Sequence, residues 1–247
     1  FGTCHQRHKK ELDLAYALVE SNPDSALAFL SHINQDKLSE EEMAKYALVY
    51  YMAQDKTGKD VDNDSLIRIA YDWYEKCQDD SLYARSMYYM GKYFMLNDSV
   101  EQAKACLEKS YHLANETGDV YLVSLSLDKL VRIEGNLNPQ KALVLARELV
   151  ELYDKHLQLP LKNKVYARLR LSTSLMCVDS LHSALEENLK ALNEAKMLGD
   201  KDIMSDVYQD LAFIYGELGK KDSSLYYAKI ASTQNNPKDI TCQLELA

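Results

Sequence analysis

The sequence predicts an all-α protein built from helical hairpins, and three observations carry that expectation. Gly and Pro number only 8 and 4 among 247 residues, well under typical usage of about 7% and 5%. Sandwiches and barrels need many turns, and turns consume both residues. Apolar residues make up 47% of the chain and recur at the spacing of one helical face. A two-helix unit also returns along the chain. Ala103, Ala142, Ala184 and Ser224 hold equivalent places in it and lie 39, 42 and 40 residues apart. The same composition excludes collagen-like and low-complexity classes, and it supplies enough apolar side chains for a sizeable core.

The unit is clearest from Ser81 to Asp119. Met87, Met90, Gly91 and Phe94 share a helical face, with Gly91 small where a second helix would approach. Asn97-Asp98-Ser99 predicts a turn and N-cap. Val100, Ala103, Leu107, Ser110 and Ala114 form the next stripe, and Gly118 can close it because Gly takes positive φ without steric cost. Tyr208, Leu211, Ala212 and Tyr215, then Ser224, Ala228 and Ala231, repeat the pattern, with Gly219 between and Asn235-Asn236-Pro237 after. Leu171, Ser172 and Leu175 with Ala184, Asn188 and Ala191 form another copy. Thr117-Gly118-Asp119 and Leu198-Gly199-Asp200 are matched closings.

Two hairpins precede these. Residues 11–20 form a helix, and Asn22-Pro23 starts the next, with Asn as N-cap and Pro in the first turn. Asn138-Pro139 repeats that start. Ser39 with Glu42 reads as a capping box, opening a helix that carries Met43, Ala47, Tyr50 and Gln54. A polar loop from Lys56 to Asp64 leads into residues 66–77. Between Val120 and Glu134, Leu and Val fall on too many faces to fix a register.

These residues resemble the tetratricopeptide repeat. Its first helix carries a large apolar residue, Leu, a small residue and an aromatic, as in Met87, Met90, Gly91 and Phe94 or Tyr208, Leu211, Ala212 and Tyr215. The period, near 40, exceeds the usual figure of about 34. The resemblance spans residues 9–237 as about six antiparallel hairpins and implies a right-handed superhelix. Residues 1–8 are expected to be a tether and 238–247 the start of a further helix. The overall look is similar to bacterial cell-envelope members of the family, which implies an envelope location, facing the periplasm or the surface, the cytoplasm being the alternative. Some such proteins continue into a membrane helix and a DNA-binding module.

Stacked hairpins bury their apolar faces against their neighbours. The resemblance implies that the first helices then line a concave surface that holds a protein or an extended peptide. Matched positions are Arg85, Tyr88, Lys92 and Met95 in the third hairpin, Tyr166, Leu169, Thr173 and Met176 in the fifth, and Asp206, Gln209 and Phe213 in the sixth. Tyrosine is abundant, at 18 residues, and suits interfaces by joining large apolar area to a polar tip. Each Tyr also has a plain reading as core packing. Tyr88 and Lys92, with Tyr51 nearby, are expected to form an exposed contact.

No reaction centre is visible. The chain has no G-x-S-x-G, H-E-x-x-H or P-loop, and its six histidines are scattered. Asp60-Val61-Asp62-Asn63-Asp64 begins like a calcium loop but has Ser65 where Gly is needed and Tyr71 where Glu should close the site. No cofactor or metal is therefore expected. The expected function is a non-catalytic binding scaffold. The alternative is the signal-sensing segment of a larger membrane-associated transcriptional regulator. A formal charge of −9 repels phosphate backbones, so nucleic acid is not an expected partner.

Cys4 follows a small residue, similar to the end of a bacterial lipoprotein signal, although Thr3 stands where Gly or Ala is usual. Membrane contact is expected only through a lipid there, the other reading being an ordinary N-terminus. Cys77, Cys106, Cys177 and Cys242 form no CxxC and are expected to be small buried hydrophobes. Asp-Ser before a small or apolar residue occurs at Asp24, Asp64, Asp80, Asp98 and Asp179. That tripeptide resembles an O-glycan acceptor; helix capping is the plainer expectation.

Overall fold

In a computed structural model the described residues are 2–59 and 64–234, with residues 2–7 and 234 described by their backbone alone. They form twelve α-helices and no strand: α1 Gly2–Leu18, α2 Pro23–Ser31, α3 Glu40–Lys56, α4 Ser65–Cys77, α5 Asp80–Leu96, α6 Val100–Thr117, α7 Val120–Leu137, α8 Pro139–Lys155, α9 Leu161–Met176, α10 Leu181–Leu198, α11 Lys201–Glu217 and α12 Lys221–Gln234. The helices follow one another as six consecutive pairs, which is the all-α hairpin class expected from the residue pattern.

Two compact units divide the chain at Ser126 and Leu127, inside α7. In the first, α1 packs on α2, α3 on α4 and α5 on α6, while α2 and α4 also pack on the first helix of the following pair. In the second, α9 pairs with α10 and α11 with α12, and α8 and α10 pack forward onto α9 and α11. First helices neighbour one another, α3 lying beside α1 and α5, and α11 beside α9. The second unit's core gathers Val165, Leu169, Ala191, Ile203, Val207 and Leu211. Each large apolar side chain fully buried in this way contributes about 1.5–3 kcal/mol.

Local chemistry sets the helix ends. Asn22 and Asn138 accept from the backbone N–H groups of Ser25 and Lys141, each at 3.1 Å, with Pro at the start of the helix that follows. Ser39 and Glu42 close the capping box: the Glu42 N–H donates to Ser39 Oγ at 3.3 Å, and the Ser39 N–H donates to Glu42 Oε2 at 3.0 Å. Gly118 and Gly199 end α6 and α10 in the left-handed region, with φ of 75° and 66°. Gly91 lies where α6 crosses α5, and a Cβ there would sit 2.7 Å from Leu107 Cγ.

The first helix begins at Gly2, so residues 2–8 are helical and continue α1. Three expectations need correction. Side-chain capping is absent at Asp64, Ser99 and Ser180. The Asp64 carboxylate turns to Arg68 instead, and Asp98 and Asp179 adopt φ of 55° and 58° as the turn residue before the helix. Asp tolerates that conformation by bonding its own local backbone. Cys77 and Cys177 are exposed and Cys106 half-buried, because all three lie off the narrow stripe that each helix buries. The exposed contact expected of Tyr51 and Tyr88 is also not what is seen, as described below. Residues 60–63, Cys242 and 238–247, like the side chains of Cys4 and His5, lie outside the described residues.

Candidate functional site: the inner faces of the two units

The first unit closes its inner face with its own side chains. Tyr51 and Tyr88 are 5% and 2% exposed. An inner helix such as α5 meets α4 before it, α6 after it and α3 beside it, so the stripe left to solvent is narrower than one helical face. Tyr88 packs edge-on against Tyr89, ring centres 5.0 Å apart. Arg85 is engaged twice, Nη1 at 3.1 Å from Glu20 Oε1 and Nη2 at 2.5 Å from Asp119 Oδ2. Lys56 joins the cluster, 2.5 Å from Glu20 Oε2 and over the Tyr121 ring at 5.5 Å. Lys92 pairs with Asp55, and Met95 is half-buried. The recess lined by Tyr51, Asp55, Tyr89, Lys92 and Tyr93 has a volume of about 30 Å³, room for a water and no more.

The second unit is open. On α9, Tyr166 Oη donates to Asp206 Oδ2 on α11 at 3.3 Å. Arg170 donates through Nε to Asp128 Oδ1 on α7 at 3.2 Å. Thr173 is exposed, Met176 is half-buried and Leu169 is buried in the core. On α11, Asp206 and Gln209 are exposed, and Phe213 is 58% exposed despite its size. Burial pushes the Asp206 carboxyl up, with Tyr166 opposing, and pushes the Asp210 carboxyl up to about 6.

Two cavities of useful size open here. One, about 220 Å³, lies between α7, the start of α8 and α9, and includes Arg132, Arg170, Thr173 and Cys177 in its lining. The other, about 570 Å³, lies along α11 and α12 beside Gln209, Phe213 and Leu225. Among the described residues, no group of three His, Cys, Asp or Glu side chains is placed to hold a metal ion, and no helix is long and apolar enough to cross a membrane.

Charged residues that the sequence reading passed over organise this unit. Arg168 is 7% exposed and reaches carboxylates from two neighbouring helices. Its Nε donates to Glu194 Oε2 at 2.9 Å, Nη1 to Glu187 Oε2 at 3.0 Å and Nη2 to Asp154 Oδ1 at 2.9 Å. Lys164 adds a second cation, 2.8 Å from Asp154 and 3.3 Å from Glu194. Asp128, Arg170 and Asp210 form a row across α7, α9 and α11. They lie 42 and 40 residues apart, so alternating charge at the repeat period was the signal that could have found them.

No family profile and no curated protein sequence matches the chain. Solved structures do. The Rap protein complexed with Competence and Sporulation Factor matches with a TM-score of 0.70 at 15% identity, over 98% of this chain and 70% of that one. NprR in complex with its cognate peptide NprX matches at 0.65 and 18% identity, over 96% and 70%. YrrB, a TPR protein with an unusual peptide-binding site, matches at 0.57 and 16% identity, over 84% and 92%. The fold is tetratricopeptide-like. At these identities the likeness concerns the arrangement of helices alone.

Proposed function

We propose that the chain is a non-catalytic peptide-binding scaffold whose ligand lies along α9 and α11 of the second unit. The carrying observation is the contrast between the units. The inner face of the first is filled by its own ion pairs and tyrosines. The second leaves Thr173, Gln209 and the large apolar Phe213 uncovered beside two cavities. An exposed aromatic among polar side chains is what a binding surface needs, since it offers desolvation energy with directional groups around it. NprR with its cognate peptide NprX and YrrB with its peptide-binding site, both similar in fold, support the same reading.

The test is selection from a displayed peptide library against the full chain, followed by fluorescence anisotropy on the selected peptides. Phe213→Ser should weaken binding about 10-fold or more, as loss of a buried aromatic anchor does, without moving the thermal midpoint. Tyr226→Ser on α12, where Tyr226 is 60% exposed, should leave binding unchanged. Selection of no peptide, or peptides sensitive to Tyr226→Ser and indifferent to Phe213→Ser, would refute the proposal.

A further inference from the structure

The cavity along α11 and α12 holds an ionisable side chain against an apolar floor. Ala212, Phe213, Leu225 and Ala228 contribute to its lining. Asp210 lines it as well and is half-buried, while Glu217, the other carboxylate of the lining, is exposed. Burial pushes the Asp210 carboxyl up to about 6; the Asn188 hydrogen bond and the Arg170 charge oppose that rise, and the Asp206 charge adds to it. Peptide binding as proposed above gives this group no role.

α9, α10 and α12 all pack on α11. From α10, Asn188 hydrogen-bonds the Asp210 carboxyl. That amide is fully buried, its Nδ2 donates to Ser172 Oγ at 3.3 Å, and its Oδ1 has no hydrogen-bond partner among the described residues. An orphaned acceptor beside a carboxyl favours the acid form, which has an O–H to give where the carboxylate has none. From α9, Arg170 favours the ionised form, but its Nε is already committed to Asp128 at 3.2 Å. From α12, the lining residues Ser224, Leu225, Ala228 and Ala231 carry no charge. On α11 itself Asp206, one turn earlier, repels a second negative charge. Asp206 accepts from Tyr166 at 3.3 Å and is not part of the cavity lining.

We propose that this cavity binds an uncharged apolar group with uptake of a proton at Asp210, so that the scaffold holds its ligand more tightly in acid than at neutral pH. An apolar group seated on Phe213 and Leu225 displaces the water that still reaches the carboxyl. Losing that water disfavours the charged form further. Affinity is therefore highest while the free carboxyl is protonated, falls as pH rises through about 6, and levels off once the free and the bound forms are both ionised. A ligand that brought a cation to Asp210 would give the reverse slope. For a peptide the proposal rests on the scaffold reading; for the cavity alone it does not.

The probe is N-phenyl-1-naphthylamine, which stays uncharged from about pH 5 to 8 and fluoresces in apolar surroundings. Titrated into the intact chain, it should bind about 3- to 10-fold more weakly at pH 8 than at pH 5, the span expected when a half-buried acid loses its remaining solvent. Asp210→Asn, neutral throughout, should flatten the profile near the tighter limit. Asp206→Asn should keep the fall but move it toward lower pH, since a repelling charge is gone. Phe213→Ser should weaken the probe at every pH, which places it in this cavity. Far-ultraviolet circular dichroism checks that each variant is folded at both pH limits. With a selected peptide, calorimetry near pH 7 in buffers of different ionisation heat should show a fraction of a proton taken up by the parent and none by Asp210→Asn. No probe binding, a flat or rising profile in the parent, or an equal fall in Asp210→Asn overturns the proposal. A selected peptide that binds the parent without proton uptake overturns it too. A failure to select any peptide would sink the scaffold reading and leave the probe measurement standing.

Discussion

Gly91→Ala paired with Gly135→Ala gives the most direct measure of how closely these hairpins pack. Both glycines lie inside helices with negative φ, so the gain in helix propensity, about 0.8–1 kcal/mol, is common to both and cancels. Their surroundings differ. At position 91 a Cβ would sit 2.7 Å from Leu107 Cγ, 3.0 Å from its Cδ2 and 3.3 Å from the Ala103 carbonyl oxygen. The nearest atom is a branch point and not a flexible tip, and Leu107 and Ala103 are both fully buried. α6 must therefore move away from α5. Overpacking of this kind costs about 1–3 kcal/mol. At position 135 nothing lies within 4 Å, so the propensity gain is kept. Gly135→Ala should raise the thermal midpoint and Gly91→Ala should leave it unchanged or lower it. A chain of this size shifts roughly 2–4 °C per kcal/mol, so the two midpoints should separate by about 2–12 °C. Far-ultraviolet circular dichroism melts read the difference, and urea titration checks it. Equal shifts in the same direction would show that α5 and α6 are not in contact at Gly91, and the hairpin geometry argued above would be wrong.

Three other outcomes follow from the structure. Arg168→Met strands Glu187, Glu194 and Asp154 together and should cost about 3 kcal/mol, the low end for removing one partner of a buried charge cluster, as read by urea denaturation. The Asp210 carboxyl, pushed up to about 6 by burial against about 3.9 in an unfolded chain, holds a proton in the folded state that the unfolded state has lost. Its contribution is complete below about pH 4 and is lost as pH rises through 6. Asp210→Asn should therefore grow more stable relative to the parent between about pH 4 and 7, by on the order of 2 kcal/mol, in paired thermal melts. Ser39→Ala removes the acceptor for the Glu42 N–H and should cost about 1 kcal/mol by chemical denaturation.

Much of the fold was legible because its determinants are local. Asn22-Pro23, Asn138-Pro139, the Ser39–Glu42 box and Gly118 announce helix ends within four residues, and each is found in that role. Gly91 was legible for another reason: the repeat itself marks where a small residue is needed. The inner face was harder. Periodicity shows that Tyr51 and Tyr88 lie on a helix face but not how many neighbours crowd it, and those neighbours bury both. Cys77 and Cys177 were misread in the opposite sense, because residue type suggests burial while their positions off the packed stripe leave them exposed. Arg168 was silent, since its partners lie 14, 19 and 26 residues away and no spacing rule joins them. Thr173 and Phe213 come from the repeat register, and both are exposed.

The forward packing of each helix onto the next few in sequence bears on how the molecule comes into being. Most of the packing among the described helices joins helices with at most one helix between them, the Lys56–Tyr121 contact between α3 and α7 being a longer reach, so most loops that close during folding are short and their entropic toll small. An early hairpin already holds most of its eventual contacts before distant residues exist. On a ribosome, structure should therefore accrue from the amino end as the chain emerges. Force applied by pulling its ends should unravel it in steps close to one hairpin in size.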